Sequence, residues 1–304
     1  MLTLVASTSV GVKPSVHGLR QQINDRLAEL LFADQQERHG RQARRDRQDA
    51  LSQAMRHALL GPGKRLRPTL AVLVGHEWDA PAQAMLDAGC AIEMVHAASL
   101  ILDDLPCMDN ALLRRGQATT HVVHGQDMAT LAAIALLARA FSVLGTVAHV
   151  TSGQRVAMLN VLTEAVGEGG LAGGQMQDLR GSEHGCNLEA TAQSNALKTG
   201  VLFNAAVNMA AILSEADDAR CHRMLKFALH FGQAFQIADD LQDAAEDMAG
   251  QPTCVTLLGF EAAQQLLQTH VSTALAHLVS AQSPLALWVS GMFDRRQAAS
   301  AAGR

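Results

Sequence analysis

The fold is set by "PAQAMLDAGCAIEMVHAASLILDD", residues 81–104, a long apolar stretch that ends in two aspartates. Proline stands at its first position, where the missing backbone N–H costs a helix nothing. The apolar residues recur at the spacing of a helix and do not alternate as in a strand. The stretch therefore predicts one long buried helix whose carboxyl end carries acidic side chains.

Most of the remaining chain has the same helical period. Two further helices are indicated by residues 19–30 and by residues 51–59, the second of which ends at "GPG". Later helices are predicted at about residues 127–150, 188–214, 218–247, 260–280 and 284–299. No linker, repeat or low-complexity block divides the chain. We therefore predict an all-α fold with a flexible N-terminus, residues 1–17, and a single domain, residues 18–304.

Composition restricts the class of protein. The 304 residues are 48% hydrophobic and 17% charged, which is typical of a globular protein, and the net charge of -5 argues against a nucleic-acid partner. Five scattered cysteines suggest neither a zinc site nor a disulfide framework. Glu93 and Arg139 interrupt the apolar stretches, and the N-terminus lacks the pattern of a signal peptide. We predict a cytoplasmic protein with no stable membrane insertion.

An acidic cluster lies in "FQIADDLQD", residues 235–243. At ~100° per residue, Asp239 and Asp243 are ~40° apart around a helix, and Asp240 extends the same acidic face. Like charges at this spacing repel, and partial burial makes the repulsion more costly. The cluster therefore predicts a bound cation.

The other acidic cluster, "DDLPCMD" at residues 103–109, contains a proline. On a regular helix Asp103 and Asp109 would lie ~240° apart and could not share an ion. Pro106 ends or bends the helix, so the chain can return Asp109 to the side of Asp103 and Asp104. Carboxylate oxygens are hard ligands that favour Mg²⁺, which commonly bridges carboxylates and phosphates. A phosphorylated substrate is the next expectation.

Basic residues that suit phosphate occur in four places. Each of them alone is more often structural than functional, but together with two acidic clusters they favour binding of diphosphate. They are Lys64, Arg65 and Arg67 of "GPGKRLRP", Arg114 and Arg115 of "LLRRG", Lys198 and Thr199 of "LKTG", and His96 on the predicted long helix.

From about residue 18 to its end, the chain resembles the trans-isoprenyl diphosphate synthases of the bacterial geranylgeranyl or farnesyl type. The order and approximate spacing of the motifs carry this resemblance. The motifs are "GKRLRP", "EMVHAASLILDDLPCMD", "LRRGQATTH", "GQMQDL", "LKTGVLF" and "GQAFQIADDLQD".

The resemblance implies a helical bundle around a deep central cavity, usually as a homodimer, that joins isopentenyl diphosphate to an allylic diphosphate. It implies that about three Mg²⁺ ions are held by Asp103, Asp104, Asp109, Asp239, Asp240 and Asp243. Isopentenyl diphosphate would be bound by Lys64, Arg67, His96 and Arg115. The allylic diphosphate or the nascent cation would be contacted by Arg114, Lys198, Thr199 and Gln236. The catalytic set is then Asp103, Asp104, Asp109, Asp239, Asp240, Arg114 and Lys198.

Product length is expected to depend on the helix that precedes Asp103. In the family, a bulky aromatic residue five positions before the first aspartate stops growth at fifteen carbons, whereas this chain has Ala98 there, followed by Ser99. We therefore predict geranylgeranyl diphosphate as the product, with farnesyl diphosphate as the alternative. A deeper floor is predicted at Met94, Val95, Met128 and Leu131.

Two departures from the family pattern keep other functions open. Asn110 and Ala111 replace further aspartates, and the segment after Asp243 is shorter, with Gln251 where a lysine is expected. A weakly catalytic or non-catalytic subunit that modulates a partner synthase is one alternative. A class I terpene cyclase is another, although a cyclase does not need the "GKRLRP" site for a second diphosphate.

Overall fold

The computed structural model describes residues 16–32, 42–181, 200–245 and 253–302, and it confirms an all-α fold. The helices of the N-terminal part are α1 (Val16–Phe32), α2 (Gln42–Leu60), α3 (Leu66–Glu77), α4 (Ala82–Asp103), α5 (Thr120–His124), α6 (Gln126–Thr146), α7 (Ser152–Val166) and α8 (Leu171–Gly181). Those of the C-terminal part are α9 (Val201–Ser214), α10 (Asp218–Ala245), α11 (Cys254–Leu258), α12 (Phe260–Ala276) and α13 (Pro284–Ala302).

Helix α4 is the central element and corresponds to residues 81–104, the long apolar stretch of the sequence. It begins one residue later than predicted, because Pro81 is its N-cap, and it ends at Asp103. It packs against α3, α6 and α9, and also contacts α1 and α2. Because helices surround it, its apolar residues are buried on most of its circumference, which explains why its sequence is almost continuously apolar.

The expectation that charged residues cut the apolar stretches short of membrane length is wrong. By length and composition, α4 and α6 could each cross a membrane, although they contain Glu93 and Arg139. In α4, 72% of the apolar segment is buried inside the bundle, as expected of a core helix. In α6 the buried share is 39%, so α6 presents apolar surface outward.

Several elements were not predicted from the sequence. Helices α5, α7, α8 and α11 were missed, as was a two-stranded ribbon of β1 (Leu113–Arg114) and β2 (Gln117–Ala118). The ribbon turns through Arg115 and Gly116, which both have positive φ, as a two-residue hairpin turn of type I′ requires. Helix α6 also ends at Thr146, four residues before the predicted end. The predicted helix over residues 188–199 lies outside the described residues.

Helix α10 organises the C-terminal half and carries the second acidic cluster near its end. It packs against α9, α11, α12 and α13. Aromatic rings fill this part of the core, with Phe231 in contact with Phe203, Phe227, Trp288 and Phe293. Helix α3 contacts both α4 and α9, so the loop before α3 lies where the two halves of the bundle meet. That loop is the "GPGK" segment.

Candidate active site

The first acidic motif forms a turn at the carboxyl end of α4. The helix ends at Asp103, and the backbone N–H of Asp109 donates to the carbonyl of Asp103 at 2.9 Å. A second bond of 2.9 Å, from the N–H of Met108 to the carbonyl of Leu105, closes the segment around Pro106. The backbone of Asp109 therefore returns to the end of the helix, as the proline predicts.

Asp104 is buried and paired with an arginine of the ribbon. Its Oδ1 accepts from Nε of Arg114 at 2.7 Å and lies 2.6 Å from Nη2. Asp104 is 4% exposed, so its charge has to be balanced within the protein. Arg114 provides that balance, and the two predicted site residues are therefore brought together.

The second acidic motif lies on α10, and its carboxylates also have protein partners. Oδ1 of Asp240 accepts from Nε2 of Gln236 at 2.9 Å, and Oδ2 accepts from the backbone N–H of Cys254 at 3.0 Å. Oδ1 of Asp239 lies 3.4 Å from Nζ of Lys64. Asp243 belongs to the same helix, and its side chain lies outside the described residues. The α10 cluster is thus linked to the "GPGK" loop and to the start of α11.

Arg67 lies beneath that loop as a buried cation. Its guanidinium carbon is 5.3 Å from the ring centroid of Phe203. Burial lowers the pKa of Arg67 to about 10, with a further lowering from Arg115 that Glu93 opposes. Within the described residues its buried Nε has no hydrogen-bond partner. A buried cationic donor without a partner is costly, which points to an anionic ligand.

His96 and Arg115 complete a cationic pocket, which we define as Lys64, Arg67, His96 and Arg115. Burial, followed by repulsion from the arginines around it, lowers the pKa of His96 well below its usual value. Nε2 of His96 is buried and also lacks a partner among the described residues. The pKa of Arg115 is lowered too, first by burial. The pocket therefore concentrates donors and positive charge, which is the arrangement that diphosphate needs.

The donor set of the acidic motifs fits magnesium by its chemistry. Within the described part of the chain, no group of three or more His, Cys, Asp or Glu side chains is arranged to hold a metal ion. Magnesium in enzymes is commonly bound by one or two carboxylates, while water and substrate phosphates complete its octahedron. Adjacent aspartates occur at the end of α4 (Asp103, Asp104) and on α10 (Asp239, Asp240), and their chemistry matches that requirement without a preformed cage. We call these two clusters the carboxylate walls.

The predicted chain-length residues lie on α4 behind the site. Ala98, Met94 and Val95 are fully buried, and the half-buried Ser99 donates from Oγ to the carbonyl of His96 at 2.9 Å. Leu131, which was predicted to contribute to the same floor, is instead 46% exposed on α6. Met128 on α6 is half-buried and packs against the core.

Sequence reasoning grouped Arg65 with the basic residues that suit phosphate and assigned no role to Glu93, whereas the structure pairs the two beside the cationic pocket. Nη1 of Arg65 lies 3.0 Å from Oε1 of Glu93, and both side chains are buried. The sequence feature that could have indicated a role for Glu93 is its position inside an otherwise apolar helix, one helical turn before His96. Lys198 and Thr199, which were predicted to bind the allylic diphosphate, lie outside the described residues.

Comparison with known proteins identifies one enzyme family. Residues 48–255 match the family model described as polyprenyl synthetase. The chain is 39% identical to a geranylgeranyl diphosphate synthase of Pseudescherichia vulneris, over 91% of both chains. It is 41% identical to a geranylgeranyl diphosphate synthase of Pantoea ananas, over 77% of this chain and 80% of the relative.

The fold is similar to the crystal structure of an FPP/GFPP synthase from Zymomonas mobilis. The TM-score is 0.78 at 36% sequence identity, over 90% of this chain and 94% of the other. Together these similarities confirm the predicted fold class and enzyme class. The chain therefore belongs to the polyprenyl synthetase family of trans-isoprenyl diphosphate synthases.

Proposed function

We propose that this protein is a geranylgeranyl diphosphate synthase of the cytoplasm, in which residues 18–304 form one catalytic domain. It carries out the head-to-tail (1′-4) condensation of isopentenyl diphosphate with allylic diphosphates. The observation that supports this most is the contact of 3.4 Å between Lys64 and Asp239. It joins a cationic pocket for one diphosphate to a carboxylate wall for a second, and the condensation needs both.

The carboxylates are proposed to hold Mg²⁺, about three ions when substrate is bound. The ligands would be Asp103, Asp104 and Asp109 on one wall and Asp239, Asp240 and Asp243 on the other. When bound, the ions neutralise the charge that develops on the departing diphosphate.

The side chains divide between the two substrates. The cationic pocket binds isopentenyl diphosphate without metal, because its four members supply donors and three of them are cations. Arg114, Lys198, Thr199 and Gln236 contact the allylic diphosphate. In the described structure Arg114 and Gln236 hydrogen-bond to Asp104 and Asp240, so both side chains already lie at the carboxylates.

Chemistry proceeds by loss of the allylic diphosphate, which leaves an allylic cation. The double bond of isopentenyl diphosphate attacks that cation to form the new carbon–carbon bond, and the released diphosphate accepts the proton that is lost. Lys64 and Arg67 hold the attacking substrate in place, which removes most of the entropic cost of bringing the two reactants together. The buried side chains of Met94, Val95 and Ala98 exclude water that would trap the cation.

The protein is proposed to form a homodimer through α5 and α6. These helices expose Val122, Val123, Leu131 and Ile134, each between 46% and 57%. Exposed apolar side chains on neighbouring helices are often covered by a partner, and a second copy of the same chain would cover them with matching chemistry. Light scattering should report a dimer, and Ile134→Glu should convert it to a monomer.

The decisive assay uses purified protein, Mg²⁺, isopentenyl diphosphate and each of dimethylallyl, geranyl and farnesyl diphosphate in turn. Products are identified after dephosphorylation. Geranylgeraniol from at least one primer supports the proposal, while farnesol as the final product would favour the shorter-chain synthase. No elongation from any primer would reject the synthase function and favour a modulatory subunit.

A further inference from the structure

We infer that Arg65, Glu93 and Asn24 are positioning residues that hold the "GPGK" loop, so that Lys64 and Arg67 can bind a diphosphate without metal. This inference rests on the proposed function and names residues that set affinity for isopentenyl diphosphate without touching it.

The guanidinium of Arg65 connects three helices. Its Nη1 lies 3.0 Å from Oε1 of Glu93 on α4, and its Nε donates to Oδ1 of Asn24 on α1 at 2.8 Å. Nη2 donates at 2.9 Å to the carbonyl of Gly61, which directly follows α2. Since the side chains of Arg65 and Glu93 are each 5% exposed, these bonds are shielded from water.

The backbone at Arg65 is strained in a way that needs this support. Arg65 is the N-cap of α3 and has φ 52° and ψ 37°, in the left-handed region that residues other than glycine seldom occupy. Such a conformation persists only where the surroundings enforce it. Lys64 precedes this residue and Arg67 follows it by two positions, so the conformation at Arg65 determines the direction in which both cations leave the chain.

Arginines donate to three of the four carbonyl groups of the loop. The carbonyl of Gly61 accepts from Arg65, that of Pro62 from Arg115 at 3.1 Å, and that of Gly63 from Arg20 at 2.8 Å. A Cβ atom at Gly63 would lie 2.8 Å from Nη1 of Arg65 and 2.9 Å from Nη1 of Arg115. The loop is therefore fixed by side chains, and its last glycine admits two guanidinium groups.

Glu93 also supplies a negative charge inside the cationic pocket. Its carboxylate favours the charged forms of Arg67 and Arg115, and so opposes the effect of burial on both. The single buried carboxylate reduces the repulsion between the cations of the pocket. Because the cations outnumber it, the pocket still has an excess of positive charge. Bound diphosphate then meets donors that are already in place.

A second ion pair on α4, which is only partly buried, provides a control. Nε of Arg26 lies 2.7 Å from Oδ1 of Asp87, and Nη2 donates to Oδ2 at 3.1 Å. This pair also joins an arginine to a buried carboxylate of α4, but Asp87 lies six residues before Glu93, about 9 Å along the axis. Neither Arg26 nor Asp87 takes part in the three hydrogen bonds to the loop carbonyls, which are donated by other arginines.

The experiment compares Arg65→Lys with Arg26→Lys, because both substitutions keep the charge and remove the planar fork. Asn24→Ala is a milder third variant, which removes one neutral partner of Arg65. For each, the KM of isopentenyl diphosphate, the KM of the allylic primer and the melting temperature are measured. Binding of inorganic pyrophosphate without divalent metal is titrated by calorimetry.

We expect Arg65→Lys to raise the KM of isopentenyl diphosphate about tenfold and to weaken pyrophosphate binding similarly, while the allylic KM changes less than about twofold. Asn24→Ala should show the same pattern at about threefold. Arg26→Lys should lower the melting temperature and leave both KM values unchanged. The inference would be overturned if Arg65→Lys changed both KM values equally. It would also be overturned if either Arg65→Lys or Asn24→Ala left the KM of isopentenyl diphosphate unchanged.

Failure of the proposed function would look different. If the wild-type protein formed no prenyl product from any primer, the synthase proposal would fail, and the pyrophosphate titration would still test the loop. If the wild type is active and Arg65→Lys behaves as Arg26→Lys does, the positioning role alone is rejected.

Discussion

The cationic pocket and the two carboxylate walls satisfy their charged groups in opposite ways. In the pocket, Nε of Arg67 and Nε2 of His96 are buried without a partner among the described residues. In the walls, Asp104 is paired with Arg114, and Asp240 accepts from Gln236 and from the N–H of Cys254. The pocket therefore has donors without protein partners that a ligand can fill, whereas the buried carboxylates of the walls already accept hydrogen bonds from the protein.

This difference has an energetic origin. An unpaired buried donor costs about 1–3 kcal/mol, which a fold can sustain where other bonds fix the group. An unpaired buried carboxylate costs more, and both Asp104 and Asp240 have donors from the protein itself. Under the proposed function, these carboxylates would exchange protein partners for Mg²⁺, and a bound diphosphate would supply new acceptors for Arg114.

The largest effect should come from a wall. Asp240→Asn removes a proposed metal ligand and should lower turnover by about 10²–10³-fold, the usual cost of losing one group that stabilises charge in the transition state. Single-turnover release of diphosphate measures this. Metal-free pyrophosphate binding, which reports the pocket, should stay within about twofold of wild type. A parallel loss of pyrophosphate binding would show that the two regions are not independent.

The pocket should respond through affinity. Arg67→Gln removes a buried cation and should raise the KM of isopentenyl diphosphate by about 10–100-fold, since a charge-assisted hydrogen bond contributes about 1.5–3 kcal/mol. The allylic KM should change little. Steady-state kinetics with each substrate varied in turn gives both values. If the allylic KM rose as much, the assignment of one diphosphate to each region would be wrong.

Product length tests the helix that connects the two regions. Ala98→Tyr places a large ring in the buried layer two residues after His96 and five before Asp103. We expect the ratio of twenty-carbon to fifteen-carbon product to fall about tenfold or more, with some loss of stability from overpacking. Chromatography of the dephosphorylated products measures the ratio. An unchanged ratio would remove Ala98 from the account of chain length.

Local signals in the sequence predicted the parts of the site that depend on neighbouring residues. Pro106 predicted the turn that brings the backbone of Asp109 to Asp103, and the apolar period predicted α4 to within one residue at each end. Helix α7 had a local signal that was overlooked, since Thr151 and Gln154 form a capping box.

Contacts between distant residues could not be predicted in this way. The bonds of Arg65 to Asn24 and Glu93 span 41 and 28 residues, and no local pattern indicates them. The bond from Cys254 to Asp240 depends on where α11 packs, which the sequence near either residue does not indicate. These long-range hydrogen-bond partners are set by the packing of helices. They determine how the cationic pocket differs from the carboxylate walls.

A smaller effect should appear when the internal partner of a wall carboxylate is removed. Arg114→Gln leaves the buried Asp104 with less compensation, which increases its demand for a cation. Without substrate, Mg²⁺ should therefore bind about threefold to tenfold more tightly than to wild type, although turnover falls. Calorimetric titration with Mg²⁺ measures the first change. Weaker Mg²⁺ binding by Arg114→Gln would refute the exchange of partners.

The smallest expected effect concerns pH and uses histidines outside both regions. Nδ1 of His230 on α10 lies 2.9 Å from Nδ1 of His270 on α12, and the ring of His277 stacks on His230. Burial lowers the pKa of His230 and of His270, and a neighbouring histidine adds to each effect. Below about pH 6.5 the unfolded chain therefore binds more protons than the folded protein, so stability falls as pH decreases toward the lowered values.

We expect the melting temperature to fall between pH 7.5 and 5.5, and His270→Gln to reduce that fall by about 2 °C, because the lowered pKa of His270 then no longer contributes to it. Differential scanning calorimetry across this range measures both slopes. His96 contributes with the same sign, since its pKa is also lowered by burial. If His270→Gln leaves the slope unchanged, the acid sensitivity belongs to the cationic pocket, and bound pyrophosphate should then abolish it.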